Sequence, residues 1–200
     1  MNDPVIEYWF DFASPYSYLS TAHIDTLARL RGVRVLWRPL LLGPIFRAAG
    51  WQASPFLQQP AKFAWMWTDL ARQCARHALP WRKPSQFPRN CVLPARIALA
   101  HADAPWIATF CTRVFELNFV DDADIDDVDA MRRLLAELGQ PADAVIARAQ
   151  SPEVKQALRA QTEQGAQRGL FGAPSFFVGD ALYWGNEQLE DALDAAAQSR

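Results

Sequence analysis

Apolar positions repeat with two different periods along this chain, and the change of period divides it. Val5, Ile6, Tyr8, Trp9 and Phe10 form a short aromatic and β-branched run that predicts a strand over Val5–Phe10. Residues 33–38 alternate apolar and polar side chains and predict a second strand. Between the two, Leu19, Ala22, Leu27 and Leu30 recur at helical spacing and Gly32 supplies a stop. This is a β-α-β unit with Ser14 at its strand-to-helix turn. Near the other end, Ser175-Phe176-Phe177-Val178, the turn Gly179-Asp180 and Ala181-Leu182-Tyr183-Trp184 predict a hairpin. A last helix is expected over about 186–197.

From about residue 43 to 169 the helical period holds almost throughout. Phe63, Met66, Trp67, Leu70 and Cys74 mark one amphipathic face; Ile107, Phe110, Cys111, Val114 and Phe115 mark a second. Val128, Met131, Leu135 and Leu138 mark a third, ended by Gly139 and restarted after Pro141. Ser151-Pro152-Glu153 supplies a capping hydroxyl, a proline at the first helical position and an acid in the first turn. The expected fold class is α/β: residues 1–42 plus 170–200 form a small sheet domain, interrupted by an all-helical insertion at 43–169.

Composition narrows the partners. Half of the 200 residues are hydrophobic, with eight Trp and twelve Phe available for a core. A formal net charge of −2 gives no support to nucleic-acid or membrane-surface binding. No apolar run approaches the ~20 residues that span a bilayer, and Met1-Asn2-Asp3-Pro4 lacks a basic leader, so a cytoplasmic protein is expected. Cys74, Cys91 and Cys111 are odd in number and widely spaced, which fits neither a disulfide framework nor a zinc site. Cys74 and Cys111 fall on apolar faces and read as packing residues; Cys91 sits in an irregular segment, with no local His to make it a nucleophile.

Two segments carry candidate chemistry. In Asp11-Phe12-Ala13-Ser14-Pro15-Tyr16-Ser17 a strand gives way to a helix at Ser14, so helix amides and the positive end of the dipole are open to an anion. Thioredoxin-like folds keep a Cys-x-x-Cys pair at such a turn; here both positions are serine. The arrangement suits a site that receives a thiolate from outside, most simply that of glutathione. In Gly172-Ala173-Pro174-Ser175 a proline opens a strand. It is either a trans proline on an edge strand or a cis proline facing the turn, and the Ser14 turn favours cis. In the cis arrangement the backbone before it pairs with a peptide as an added strand would, so that Ala173 holds the cysteinyl backbone of the tripeptide.

Phe10-Asp11-Phe12-Ala13-Ser14-Pro15-Tyr16-Ser17-Tyr18-Leu19, Gly169-Leu170-Phe171-Gly172-Ala173-Pro174 and Trp184-Gly185-Asn186, with Leu41 to Arg47 and Pro60-Ala61-Lys62, together resemble the 2-hydroxychromene-2-carboxylate isomerase family. That family is related to kappa-class glutathione transferases and has a DsbA-like thioredoxin fold with a helical insertion. The resemblance implies glutathione as cofactor, a small aromatic carboxylate of bacterial aromatic catabolism as substrate, and no metal. It implies Ser14 as the catalytic residue on the glutathione sulfur. Ala173 and Pro174 would lie along the tripeptide backbone, with Trp184, Gly185, Asn186 and Glu187 around its γ-glutamyl end. It also implies Arg47, Phe87 and Asn90 as substrate contacts. Glu187 stands where the family often has Asp, Arg47 where it commonly has Lys, and Trp51 where Asn is more usual. Oligomeric state is left open, a homodimer included.

Charge patterning adds an independent signal. Between Leu70 and Ala102 there is no acid, while Arg72, Arg76, Arg82, Lys83, Arg89 and Arg96 all occur. Arg72 and Arg76 read as a solvated helix face; Arg82, Lys83 and Arg89 lie in a proline-rich loop where a functional role is expected, with contact to substrate left open. The run from Asp121 to Asp129 lacks the glycine and terminal Glu of a calcium loop and reads as a helix start capped by Asp124 or Asp126. His23, His77 and His101 show no ligand spacing. The leading reading is a glutathione-dependent isomerase. Its alternatives are a kappa-type transferase that conjugates small electrophiles and a non-catalytic thioredoxin-like module that binds peptides.

Overall fold

Phe10, Tyr8 and Phe176 stack in the middle of the molecule, with ring centroids 4.9 and 5.4 Å apart, and the fold is built outward from them. The computed structural model describes residues 4–52 and 54–199. Its four-stranded sheet has the order β2-β1-β3-β4, with β1 Val5–Phe10, β2 Arg34–Pro39, β3 Ser175–Val178 and β4 Ala181–Trp184. β1 runs parallel to β2 and antiparallel to β3, and β3 and β4 form the antiparallel hairpin. The central strand is buried on both faces. Ile6, Tyr8 and Phe10 enter the main core, and Trp9 enters a smaller cluster with Leu40, Ile45, Leu170 and Phe177.

Helix α1 (Pro15–Arg31) crosses from β1 to β2 and ends at Gly32, whose φ of 64° is open to glycine at little steric cost. The Tyr8 hydroxyl pins it to the sheet through Ser17 O at 2.9 Å and Thr21 Oγ1 at 2.8 Å. Among the described residues, the run from α2 (Leu42–Ala48) to α9 (Pro152–Gln167) holds helices and no strand: α3 (Pro55–Gln58), α4 (Pro60–Arg76), α5 (Val92–Ala100), α6 (Ile107–Phe119), α7 (Val128–Glu137) and α8 (Ala142–Ala149) lie between them. Met66, Leu70, Phe110, Phe115, Met131 and Leu135 share one continuous core with the sheet, so the helical segment is packed onto the strands rather than set apart. The C-terminal helix α10 (Leu189–Gln198) follows a single turn at Asn186–Gln188. No helix among the described residues is long and apolar enough to cross a membrane.

One helix start differs from expectation. The cap of α7 is Asp127, whose side chain accepts from the Ala130 N–H at 2.7 Å. Asp126 is taken instead by the Leu93 N–H and the Asn90 amide, and Asp124 accepts from the Asp126 N–H. Tertiary partners decide which of several adjacent carboxylates caps the helix.

Candidate functional site

The chain leaves β1, turns through Asp11-Phe12-Ala13 and opens α1 at Ser14. The Ser14 N–H closes the turn onto Asp11 O at 2.9 Å, and the Ser14 hydroxyl accepts the Ser17 N–H at 3.2 Å as a helix cap. Pro15 occupies the first helical position and no acid lies in the first turn, so no residue of the 17-residue helix itself offsets the positive end of its dipole there. Ser14 is 7% exposed, whereas Ser17 is fully buried and its hydroxyl oxygen lacks a partner.

The Ser14 hydroxyl donates to Ala173 O at 2.9 Å, across 159 positions of sequence. The Ala173–Pro174 peptide is cis. Pro174 O accepts the Gly185 N–H at 3.0 Å, and the Ser20 hydroxyl pairs with Asn186 Oδ1 at 2.9 Å. These bonds gather Ser14, Ala173, Pro174, Gly185 and Asn186 at one end of the sheet. Trp184 leans back over Gly172, where a Cβ would stand 2.5 Å from the indole nitrogen, and its half-exposed ring meets Phe171 at 4.8 Å. Gly185, at φ 101°, has the Glu187 carboxylate close above it, and its backbone conformation is one that a side chain would strain. The Tyr16 hydroxyl donates to Asp69 Oδ2 at 3.0 Å; burial and then the Asp69 and Glu187 carboxylates push its pKa up. The turn is thus bordered by two carboxylates.

The remaining sequence-predicted residues fall into three different places. Arg47 is exposed on α2 and lines a mostly apolar cavity of about 310 Å3 with Phe46, Trp51, Leu57 and Pro88. Phe87 packs on Trp67 and Phe63 with centroids 4.9 and 5.7 Å away, and Lys83 lies over the same rings. Asn90 lines a separate polar cleft with Asp124, Asp126 and Asp127. The structure therefore does not bring Asn90 to Arg47. Arg89 is buried: its guanidinium donates to Asn118 O and Oδ1 at 3.1 and 3.0 Å and is paired with Asp122. Its guanidinium bonds are made inside the fold. Arg89 and the Ser85 N–H hold the Asp122 carboxyl down at about 2.

Asp11 was not among the residues singled out, although a charged side chain between the buried aromatics Phe10 and Phe12 is a readable signal. It is 5% exposed, and its carboxylate accepts the Ala13 N–H at 2.8 Å, the Leu42 N–H at 2.7 Å and the Cys91 thiol at 3.2 Å. Burial pushes the Asp11 carboxyl up against these bonds, and burial followed by the Asp11 charge pushes the Cys91 thiol up. All three cysteines are free and buried, so none supplies a reactive thiol to the Ser14 turn.

The model of the DSBA-like thioredoxin domain matches residues 5–197. A 2-hydroxychromene-2-carboxylate isomerase of Sphingobium xenophagum is 31% identical over 92% of this chain and 94% of its own length. A kappa 2 glutathione S-transferase of Caenorhabditis elegans is 23% identical over 98% of this chain and 93% of its own length. A solved 2-hydroxychromene-2-carboxylate isomerase superposes with a TM-score of 0.87 at 22% identity, covering 97% of this chain and 95% of that one. The chain belongs to the DSBA-like thioredoxin family, in the branch that holds the 2-hydroxychromene-2-carboxylate isomerases beside the kappa-class glutathione transferases.

Proposed function

We propose that this protein is a glutathione-dependent isomerase acting on 2-hydroxychromene-2-carboxylate or a close aromatic analogue. The observation that carries the reading is the Ser14 hydroxyl, set at a helix N-terminus with no acid in its first turn and facing the cis Ala173–Pro174 bond, with serine at both positions of the redox spacing. A helix N-terminus without a thiol fits a thiolate from outside. Asp69 and Glu187, on the far side of Tyr16, fit an ammonium group such as the one at the γ-glutamyl end. Bound there, glutathione supplies a thiolate that adds reversibly to the conjugated double bond of the substrate and so frees rotation about it.

The residues of the chain do the rest. Ser14 turns its O–H from Ala173 O to the sulfur and favours the thiolate over the thiol. Ala173 and Pro174 align the tripeptide backbone, and Trp184, Gly185, Asn186 and Glu187 close around its other end. Arg47 holds the substrate carboxylate at the mouth of an apolar cavity whose Phe46 and Trp51 walls suit a flat ring. Lys83, Phe87 and Asn90 stand outside that cavity and are assigned no contact in this reading.

The Caenorhabditis relative favours a second reading, a kappa-type transferase with the same thiolate and a separate electrophile. Turnover of 2-hydroxychromene-2-carboxylate, followed by its absorbance with and without glutathione, tests the first reading. Dependence on glutathione is expected, and equal rates without it would remove the assignment.

A further inference from the structure

One side chain is common to the two halves of the proposed site. Asp11 accepts from Ala13, the residue before Ser14, and from Leu42, the first residue of α2 and five positions before Arg47. Helix α2 has no side-chain cap of its own at Leu41. The Asp11 carboxylate takes that role from another segment, placing a negative charge and an acceptor on an unpaired N-terminal amide. Its third bond, from Cys91, reaches the residue that opens α5. One buried carboxylate therefore ties the turn and two helix starts together.

We propose that Asp11 is a positioning residue: it holds the Ser14 turn and the Arg47-bearing helix α2 at one fixed separation, keeping the sulfur-binding and carboxylate-binding ends of the site in register. The inference rests on the glutathione reading. Only an acceptor at both oxygens can do this. Asparagine has the same shape, but its amide nitrogen must face either the Leu42 N–H or the Ala13 N–H and Cys91 thiol, a donor against a donor. A misplacement of about 1 Å in such a site is enough to cost roughly a hundredfold in rate.

Two variants test it, Asp11→Asn and Leu42→Pro. The second deletes the N–H at the first helical position, where proline is tolerated, and trims the Leu42 side chain that packs against the Trp9 cluster, but leaves the Ala13 and Cys91 bonds in place. The readouts are calorimetric binding of glutathione, the ultraviolet titration of its bound thiolate, and KM for 2-hydroxychromene-2-carboxylate. In Asp11→Asn the titration is expected to move up toward that of free glutathione, with about tenfold less thiolate at neutral pH. In Leu42→Pro it is expected to stay in place while KM rises about tenfold, since the grip on α2 is lost and the Ala13 bond beside Ser14 is kept. An unmoved titration in Asp11→Asn overturns the proposal. So does a downward one, which mere removal of a neighbouring negative charge would give. Should Asp11→Asn not fold, a wild-type KM in Leu42→Pro overturns it alone. If the wild-type protein binds no glutathione, the functional reading fails first and the inference falls with it.

Discussion

Ser14 and Ser17 lie one helical turn apart and are put to opposite uses. Ser14 keeps a little exposure and has a hydrogen to give; Ser17 is sealed in the core with its oxygen unpaired. Ser14→Ala should lower turnover about a hundredfold, on the order of losing one preorganised donor. Loss of the cap should cost only about 1 kcal/mol of stability, so circular dichroism should still report a folded protein. Ser17→Ala should leave turnover nearly intact and hold or raise the melting temperature, because it removes a buried group that lacks a partner. Equal loss of rate in both variants would contradict these roles. Arg89 makes the complementary case. Arg89→Ala removes the guanidinium from the buried Asn118 Oδ1 and from the Asp122 carboxylate, so a loss of stability is expected. Denaturant unfolding should show that loss, while the KM of whatever folded enzyme remains should match the wild type.

Elements were legible where one local signal sufficed. The strand at Val5–Phe10, the Gly32 stop, the hairpin on Gly179-Asp180 and the Ser151 cap each depend on a few neighbouring residues, and the structure has all four. The start of α7 was not legible at residue level, because five aspartates crowd positions 121–127 and contacts from Leu93 and Asn90 choose among them. Helix α9 shows the same limit in packing. Gly165 in its middle looks like a weak point by propensity, yet a Cβ there would stand 2.9 Å from the fully buried Trp9 ring. Gly165→Ala gains about 1 kcal/mol of helix propensity and loses about 1–3 kcal/mol to overpacking. A net destabilisation is expected by thermal melting, and a raised melting point would mean that the indole has room to move.

At the scale of the molecule, the cofactor half of the proposed site could be read because its two parts, the Ser14 turn and the strand start at Pro174, are each short local patterns. The role of Asp11 could not, since its partners Leu42 and Cys91 lie 31 and 80 positions away. The same holds for the cavity at Arg47, which Trp51 and Pro88 complete only once the chain is folded. That cavity separates the two enzymatic readings. A transferase releases glutathione joined to its electrophile, whereas an isomerase must keep the adduct long enough for rotation and then return the thiol. A cation beside an apolar wall, held to the Ser14 turn through Asp11 and α2, suits retention of a carboxylated ring between addition and elimination. Glutathione at a hundredth of the substrate concentration should therefore support complete conversion, with the free thiol recovered at the end. Thiol titration and mass spectrometry of the mixture measure this directly. Conversion that halts when the glutathione is spent, with a thioether accumulating mole for mole, would establish the transferase instead.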